Sequence, residues 1–325
     1  MTTTTVPTPI SPTLNRLLDA ELAFSTVFQR YYASHLSMSL VALEALGAPS
    51  DVLEDTFAEF ERSDADPRED PAAVDAVRAE IVRDGIDTVV RARMPVLAHG
   101  PSTHLFHAAI RLSYALDAGH EGQVAGALVD WERRNSVLDA PEPTRGTRRM
   151  DEVLSILKAD PEVTSRRHSI RGLDQIARLD GFRAGVADLA TDATTFDEIA
   201  DLALHSHVVA DDFFTLHMVT GAHAVRVVSE RLDDTTSRLL GARTVQAMVA
   251  AHLGVGSPRV PRPEELDVLR ERPLPSWDEI AAAAVADRDA HVVKLAYVSR
   301  AEHARTRDPL YQLVAAHVVG LESGH

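Results

Sequence analysis

Two residues, His291 and Lys294, pose the first chemical question in this 325-residue chain. Only two of its 33 basic residues are lysines, Lys158 and Lys294; the others are arginine. On a helix, positions three apart share a face about one turn along, so whatever His291 faces, Lys294 faces too. A protonated lysine beside a buried cation is repelled and poorly solvated, and both effects favour the neutral amine. A neutral amine can condense with CO2 to an anionic carbamate, a role closed to the permanently charged arginine. The opposing reading lets Lys294 reach out to solvent, or pair with Asp287 or Asp289.

The chain holds 15 histidines, several in apolar stretches of helical period. His35 opens HLSMSLVALEALG, His104 and His107 lie in HLFHAAIRLSYAL, His217 and His223 in FFTLHMVTGAHAVRVV, and His291 precedes Lys294. Taken singly, each reads as a packed or surface histidine. Taken together they ask for more, because a buried neutral imidazole must satisfy both ring nitrogens. Four such groups on separate helices are most economically satisfied by one shared metal ion, and imidazole suits iron, zinc, copper or nickel. His104 and His107 lie three apart in one stretch, and the pattern leaves open which of them would serve; Asp287, four residues before His291, is a candidate acceptor for its second ring nitrogen.

The elements that must position these groups read as helices almost throughout, an all-α fold built as one multi-helix bundle. Ser11 caps a helix with Pro12 in its first turn, Gly47 and Pro49 stop HLSMSLVALEAL, and Ser50 caps the next stretch. Thr195 with Glu198 and Ser276 with Glu279 spell capping boxes. The second opens what reads as one long helix through His303. Asp84-Gly85 reads as a helix end, since no alternating strand pattern surrounds it. Three stretches break the pattern: an acidic loop at 62–73, a turn-rich link at 139–147, and a proline-rich crossover at 254–275. None is a flexible linker, so residues 11–325 are expected to form a single domain preceded by an arm at 1–10.

Composition excludes much. There is no cysteine, hence no disulfide, thiolate metal site or thiol nucleophile. No apolar run is long enough to span a membrane, and MTTTTVPTPISP lacks the regions of a secretory signal, so a cytoplasmic location is expected. A net charge of −16 disfavours nucleic acid as a partner, and the arginine pairs at 148–149 and 166–167 read as solvated loop ends. Dinucleotide-binding, P-loop, nucleophile-elbow and H-E-x-x-H signatures are absent.

The stretches SHLSMSLVALEALGA (34–48), HLFHAAIRLSYALDAG (104–119), FFTLHMVTGAHAVR (213–226) and HVVKLAYVSRAEH with RDPLYQLVAA (291–316) resemble the questin oxidase-like family. The resemblance covers about 31–119 and 210–316. It implies a helical oxygenase acting on an anthraquinone-type aromatic polyketide, with O2-dependent ring or C–C cleavage of Baeyer–Villiger type. It further implies a mononuclear non-haem Fe(II) centre held by histidines and a carboxylated lysine. By motif these are His35, His107, His217 and His291, with a CO2-derived carbamate on Lys294. His223 and Tyr297 are placed near the substrate as acid–base or donor groups. Ser34 and Met38 depart from the family pattern, which carries an asparagine and a second histidine there. The partners implied are a small aromatic molecule and O2; an external reductant and a homodimer are left open. Two other classes share the same histidines: a metal-free helical ligand-binding or interaction protein, and a zinc-dependent hydrolase.

Overall fold

In the computed structural model, residues 10–28, 32–63, 65–143, 146–164 and 172–321 are described. The expected arm at 1–10 lies almost wholly outside them, as does the arginine pair 166–167. The described chain is all-α. In order it forms α1 (Pro12–Glu21), a two-residue antiparallel pair β1 (Val27–Phe28) and β2 (Tyr32–Ala33), then α2 (Leu36–Ala45), α3 (Ser50–Ser63), α4 (Pro71–Asp84), α5 (Ile86–Leu97), α6 (His107–Ala118) and α7 (Glu121–Arg134). Across the turn-rich link follow α8 (Met150–Lys158), α9 (Pro161–Thr164), α10 (Gly172–Ala177), α11 (Asp180–Val186), α12 (Thr195–Ala210), α13 (Phe213–Ser229) and α14 (Asp234–Gly254). The chain ends on α15 (Pro263–Arg270), α16 (Trp277–Asp287), α17 (Ala290–Thr306) and α18 (Pro309–Val318).

Several ends form where the capping chemistry requires. The Ser11 hydroxyl accepts from Leu14 N, the Ser276–Glu279 box closes in both directions, and Gly47 and Gly85 take left-handed φ values of 92° and 85° that only glycine adopts freely. Others differ. Ser50 is the first residue of α3 rather than its cap, and Thr194 stands at the N-cap of α12 while Thr195 Oγ1 accepts from Asp192 N. The proline-rich crossover contains α15, which starts at Pro263.

The largest difference is a break in the expected long helix. Arg288 turns left-handed (φ 65°), and Asp289 starts a new helix by accepting from the backbone N–H groups of His291 and Val292. The break puts His291 in the first turn of α17 instead of mid-helix. α2 is buried from Leu36 to Leu43 and packs against α17, α6, α3 and α1. α13 packs against α6, α12, α14 and α17. α2, α6, α13 and α17 thus share one core, and each brings one histidine to the same end of it.

Candidate metal centre

Each of the four histidines sits at or near the start of its helix. His35 is the residue before α2, His107 is the first residue of α6, His217 lies in the second turn of α13, and His291 is second in α17. Ligand atoms of His35, His217 and His291 all fall within 4.8 Å of one another, and His107 Nε2 lies 2.8 Å from His35 Nε2. The four rings interlock, with centroid separations of 4.6 Å (His35–His291), 4.8 Å (His107–His217) and 5.0 Å (His35–His107). An ion with bonds of about 2.1 Å wants neighbouring donors roughly 3 Å apart and opposed ones about 4.2 Å apart. The separations seen here, 2.8 Å for His35–His107 and within 4.8 Å among His35, His217 and His291, are close to that range.

Local hydrogen bonds decide which nitrogens face inward. His107 Nδ1 donates to the His104 carbonyl at 2.6 Å, and His217 Nδ1 donates to the Phe213 carbonyl at 2.6 Å. A ring that carries its proton on Nδ1 presents a bare Nε2 lone pair. His291 Nδ1 has the Asp289 carboxylate 3.6 Å away. Asp289, the helix cap, therefore takes the place expected of Asp287, whose own carboxylate accepts from Asp289 N. The atoms left over are telling: Nε2 of His217, Nε2 of His291 and Nζ of Lys294 are buried with no hydrogen-bond partner. Buried polar atoms rarely stay unpaired. Here three of them stand among the histidines the sequence selected, and a bound cation would satisfy them.

Protonation agrees with that use. Burial, followed by the neighbouring Lys294, pushes His35 and His217 well below the ordinary imidazole value. His107 is pushed down by burial and then by His217. His291 falls to about 4, by burial and then Lys294. All four are neutral near pH 7, as ligands must be. Lys294 is fully buried, so it does not reach out to solvent. Burial, and secondarily the Arg111 guanidinium, lower it to about 7. A large share of this amine is therefore unprotonated, the state that reacts with CO2.

The left-handed run before α6 was not visible in the apolar pattern, which reads HLFHAAIRL as one helix. His104, Leu105 and Phe106 all have positive φ (55°, 54° and 66°), and α6 begins only at His107. Such residues cost about 1–2 kcal/mol each. The run is secured by Gly221 of α13, where an added Cβ would lie 2.8 Å from the Phe106 ring. It removes His104 from the cluster as a ring, leaving it exposed, and uses its carbonyl to orient His107.

A cavity of about 560 Å3 opens beside the cluster. His35, His107 and His291 form part of its wall, together with Leu36, Phe60 and Phe213. Phe213 is half exposed, and its ring lies 4.3 Å from that of His217 and 5.1 Å from that of His291. The volume and the largely apolar lining with a few polar groups suit a small organic ligand.

His223 and Tyr297 are not in this wall. His223 is six residues beyond His217, about 120° away around α13, and its Nδ1 donates to the Glu302 carboxylate at 2.9 Å. Tyr297 donates to Asp117 at 2.8 Å and lies against Tyr114, ring centroids 5.0 Å apart. Phe213 was missed on sequence because an aromatic residue four before a histidine carries no distinctive signal.

The family model described as Questin oxidase-like matches residues 78–299, which include His107, His217, His291 and Lys294, with His35 ahead of the match. No curated protein matches the chain.

Proposed function

Because the chain belongs to the Questin oxidase-like family, and so is an oxidoreductase of small molecules, we propose that it is a non-haem Fe(II), O2-dependent oxygenase. Its reaction is oxidative cleavage of a ring or C–C bond in an aromatic polyketide, Baeyer–Villiger in outcome. The supporting observation is the convergence of four neutral imidazoles, those of His217 and His291 with orphaned Nε2 atoms, beside the orphaned amine of Lys294.

Iron would be held through Nε2 of His35, His107, His217 and His291 and through an oxygen of a carbamate on Lys294. The carbamate forms when the lysine nitrogen bonds to the carbon of CO2 and gives up one proton. Iron held there would supply the redox chemistry that activates O2. The chain's own residues do the rest. The carbonyls of His104 and Phe213 fix two imidazoles in the ligating tautomer. The Phe213 ring offers a flat wall beside the histidines, on which an aromatic ring stacks in offset or tilted fashion. The apolar part of the lining excludes bulk water from the reacting face.

Metal analysis of protein prepared without chelators tests the reading. Iron near one atom per chain, lost in His217→Ala with the helical circular dichroism unchanged, is the expected result. Zinc in its place would favour the hydrolase, and no metal the ligand binder. Carbon-13 bicarbonate should give a carbamate resonance that disappears in Lys294→Arg.

A further inference from the structure

Three of the four histidines have a partner facing the second ring nitrogen: His104 O for His107, Phe213 O for His217, and the Asp289 carboxylate near His291. His35 is different. Among the described residues its one ring hydrogen bond is through Nε2, with none at Nδ1, and it stands outside the regular helix, at φ −105° and ψ 0°. Its ring nevertheless reaches His107 Nε2 at 2.8 Å. That hydrogen bond joins two nitrogens that a metal would occupy, so it is given up when metal binds and something else must orient the ring.

The backbone around His35 is gripped by one side chain. Arg111 Nη2 donates to the Ser34 carbonyl at 2.5 Å, and Nη1 donates to the Ser37 hydroxyl at 2.9 Å. These are the residues immediately before and two after His35. Arg111 lies four residues beyond His107 on α6, one turn along the same face. A single guanidinium therefore ties the His35 segment to the helix that presents His107. Its fork, with donors in fixed directions, is what makes two simultaneous contacts possible; an ammonium has no such geometry. The Glu21 carboxylate, 3.5 Å from Nη1, supplies the countercharge, and Gln123 Nε2 holds Glu21 at 2.9 Å while also donating to the Leu18 carbonyl at 2.8 Å. All three side chains are buried. A buried charge network of this kind is poor value for stability alone, since apolar packing does as well. It does fix geometry.

We propose that Arg111, supported by Glu21 and Gln123, is the positioning residue for His35: it substitutes a backbone clamp for the polar partner that faces Nδ1 in the other three histidines, a hydrogen-bonded carbonyl for His107 and His217 and the nearby Asp289 carboxylate for His291. The inference rests on reading the four histidines as a metal site. Arg111 does not line the cavity that receives substrate; apart from its charge near Lys294, which Arg111→Lys retains, it acts through His35.

The test uses the full chain, with Co(II) added to metal-stripped protein as the probe, because its visible spectrum reports coordination. Arg111→Lys should bind Co(II) about 10–100-fold more weakly, the range for lost orienting contacts, and its spectrum should match that of His35→Ala. The double variant should bind no worse than the weaker single one, whereas Arg111→Lys with His217→Ala should lose more than either alone. A wild-type spectrum and affinity in folded Arg111→Lys, or full additivity with His35→Ala, would overturn the proposal. Should Arg111→Lys fail to fold, Ser37→Ala removes one arm of the clamp; a several-fold weakening supports the role, and none rejects it. If wild-type protein binds no Co(II), the metal reading has failed, and ring nitrogen NMR of the stripped protein still decides this one. The His35 Nε2 resonance should lose its coupling to His107 in Arg111→Lys; an unchanged resonance refutes the clamp.

Discussion

Two buried clusters of polar groups lie along α17, and they are built on opposite principles. Around His291 and Lys294, at the start of the helix, Nε2 and Nζ atoms are left without partners. Around Tyr297 and Glu302, further along, most of the polar groups pair with one another. Tyr297 donates to Asp117, His223 to Glu302, and Glu302 also receives Arg305 at 3.0 Å, with Arg226 at 3.5 Å. The comparison teaches that histidine content does not mark a functional site; unsatisfied lone pairs pointing at a common centre do. His223 Nε2, Arg226 Nε and Ser299 Oγ in this second region also lack hydrogen-bond partners, but among the described residues no set of imidazoles gathers around them as it does around His291.

The comparison breaks most sharply at His217. Replacing it by alanine should remove bound iron and reduce O2-dependent turnover by about a thousandfold or more, while the metal-free protein melts within about 1 kcal/mol of wild type after balancing lost packing against a lost orphan. Elemental analysis, turnover and thermal melts on one sample read all three. A variant that keeps both iron and turnover removes His217 from the centre.

Lys294→Met comes next. Methionine fills a similar apolar space, so the metal-free protein should gain about 1–3 kcal/mol by losing an unpaired buried amine. Iron affinity should fall about a hundredfold or more as the anionic donor disappears. The opposite pairing, a less stable apoprotein with unchanged affinity, would mean that Lys294 has a structural partner.

Glu302→Gln should do the reverse of both: turnover within about threefold of wild type, and stability down. Burial alone would raise this carboxyl, but the hydrogen bond from His223 and the neighbouring Arg226 and Arg305 guanidinium groups outweigh it and bring it to about 2. A depressed carboxyl stabilises the fold fully above its unfolded value near 4.5, and that contribution is lost as pH falls toward 2. The shift corresponds to at most about 3 kcal/mol. Urea melts between pH 6 and about 3 should show a shallower acid slope in the variant; parallel slopes would show that the pairing contributes nothing.

How much of this is legible in the sequence follows from what each feature depends on. Helix ends set by a hydroxyl cap or a glycine, as at Ser11, Ser276, Gly47 and Gly85, are local chemistry and are readable. The histidines were readable as a set because four separate apolar helices each carried one. The break at Arg288 and the left-handed run 104–106 were not, since neither contains the glycine or proline that usually announces such a turn. The second is held by a glycine far away in sequence, Gly221. The clamp on His35 was hidden for the same reason: Arg111 looks like any helix-face arginine until α2 is laid beside α6. His223 and Tyr297 drew attention by proximity in sequence to His217 and Lys294, yet six residues on a helix turn a side chain away from its predecessor.

Tyr297 gives the finest test of the comparison, because it belongs to the same helix and nearly the same turn as Lys294. Its hydroxyl is committed to Asp117, and burial, then the Asp117 and Tyr114 environment, pushes its ionisation well above the ordinary phenol value. It is therefore a neutral donor, already used. Tyr297→Phe removes that donor and leaves Asp117 buried, so a loss of about 1–2 kcal/mol is expected, with substrate binding and turnover within about twofold. Asp117→Asn in the same background should recover part of the loss, since an amide tolerates the missing donor better than a carboxylate does. A drop in turnover beyond tenfold at unchanged iron content would place the phenol on the reaction path and join the two clusters into one site.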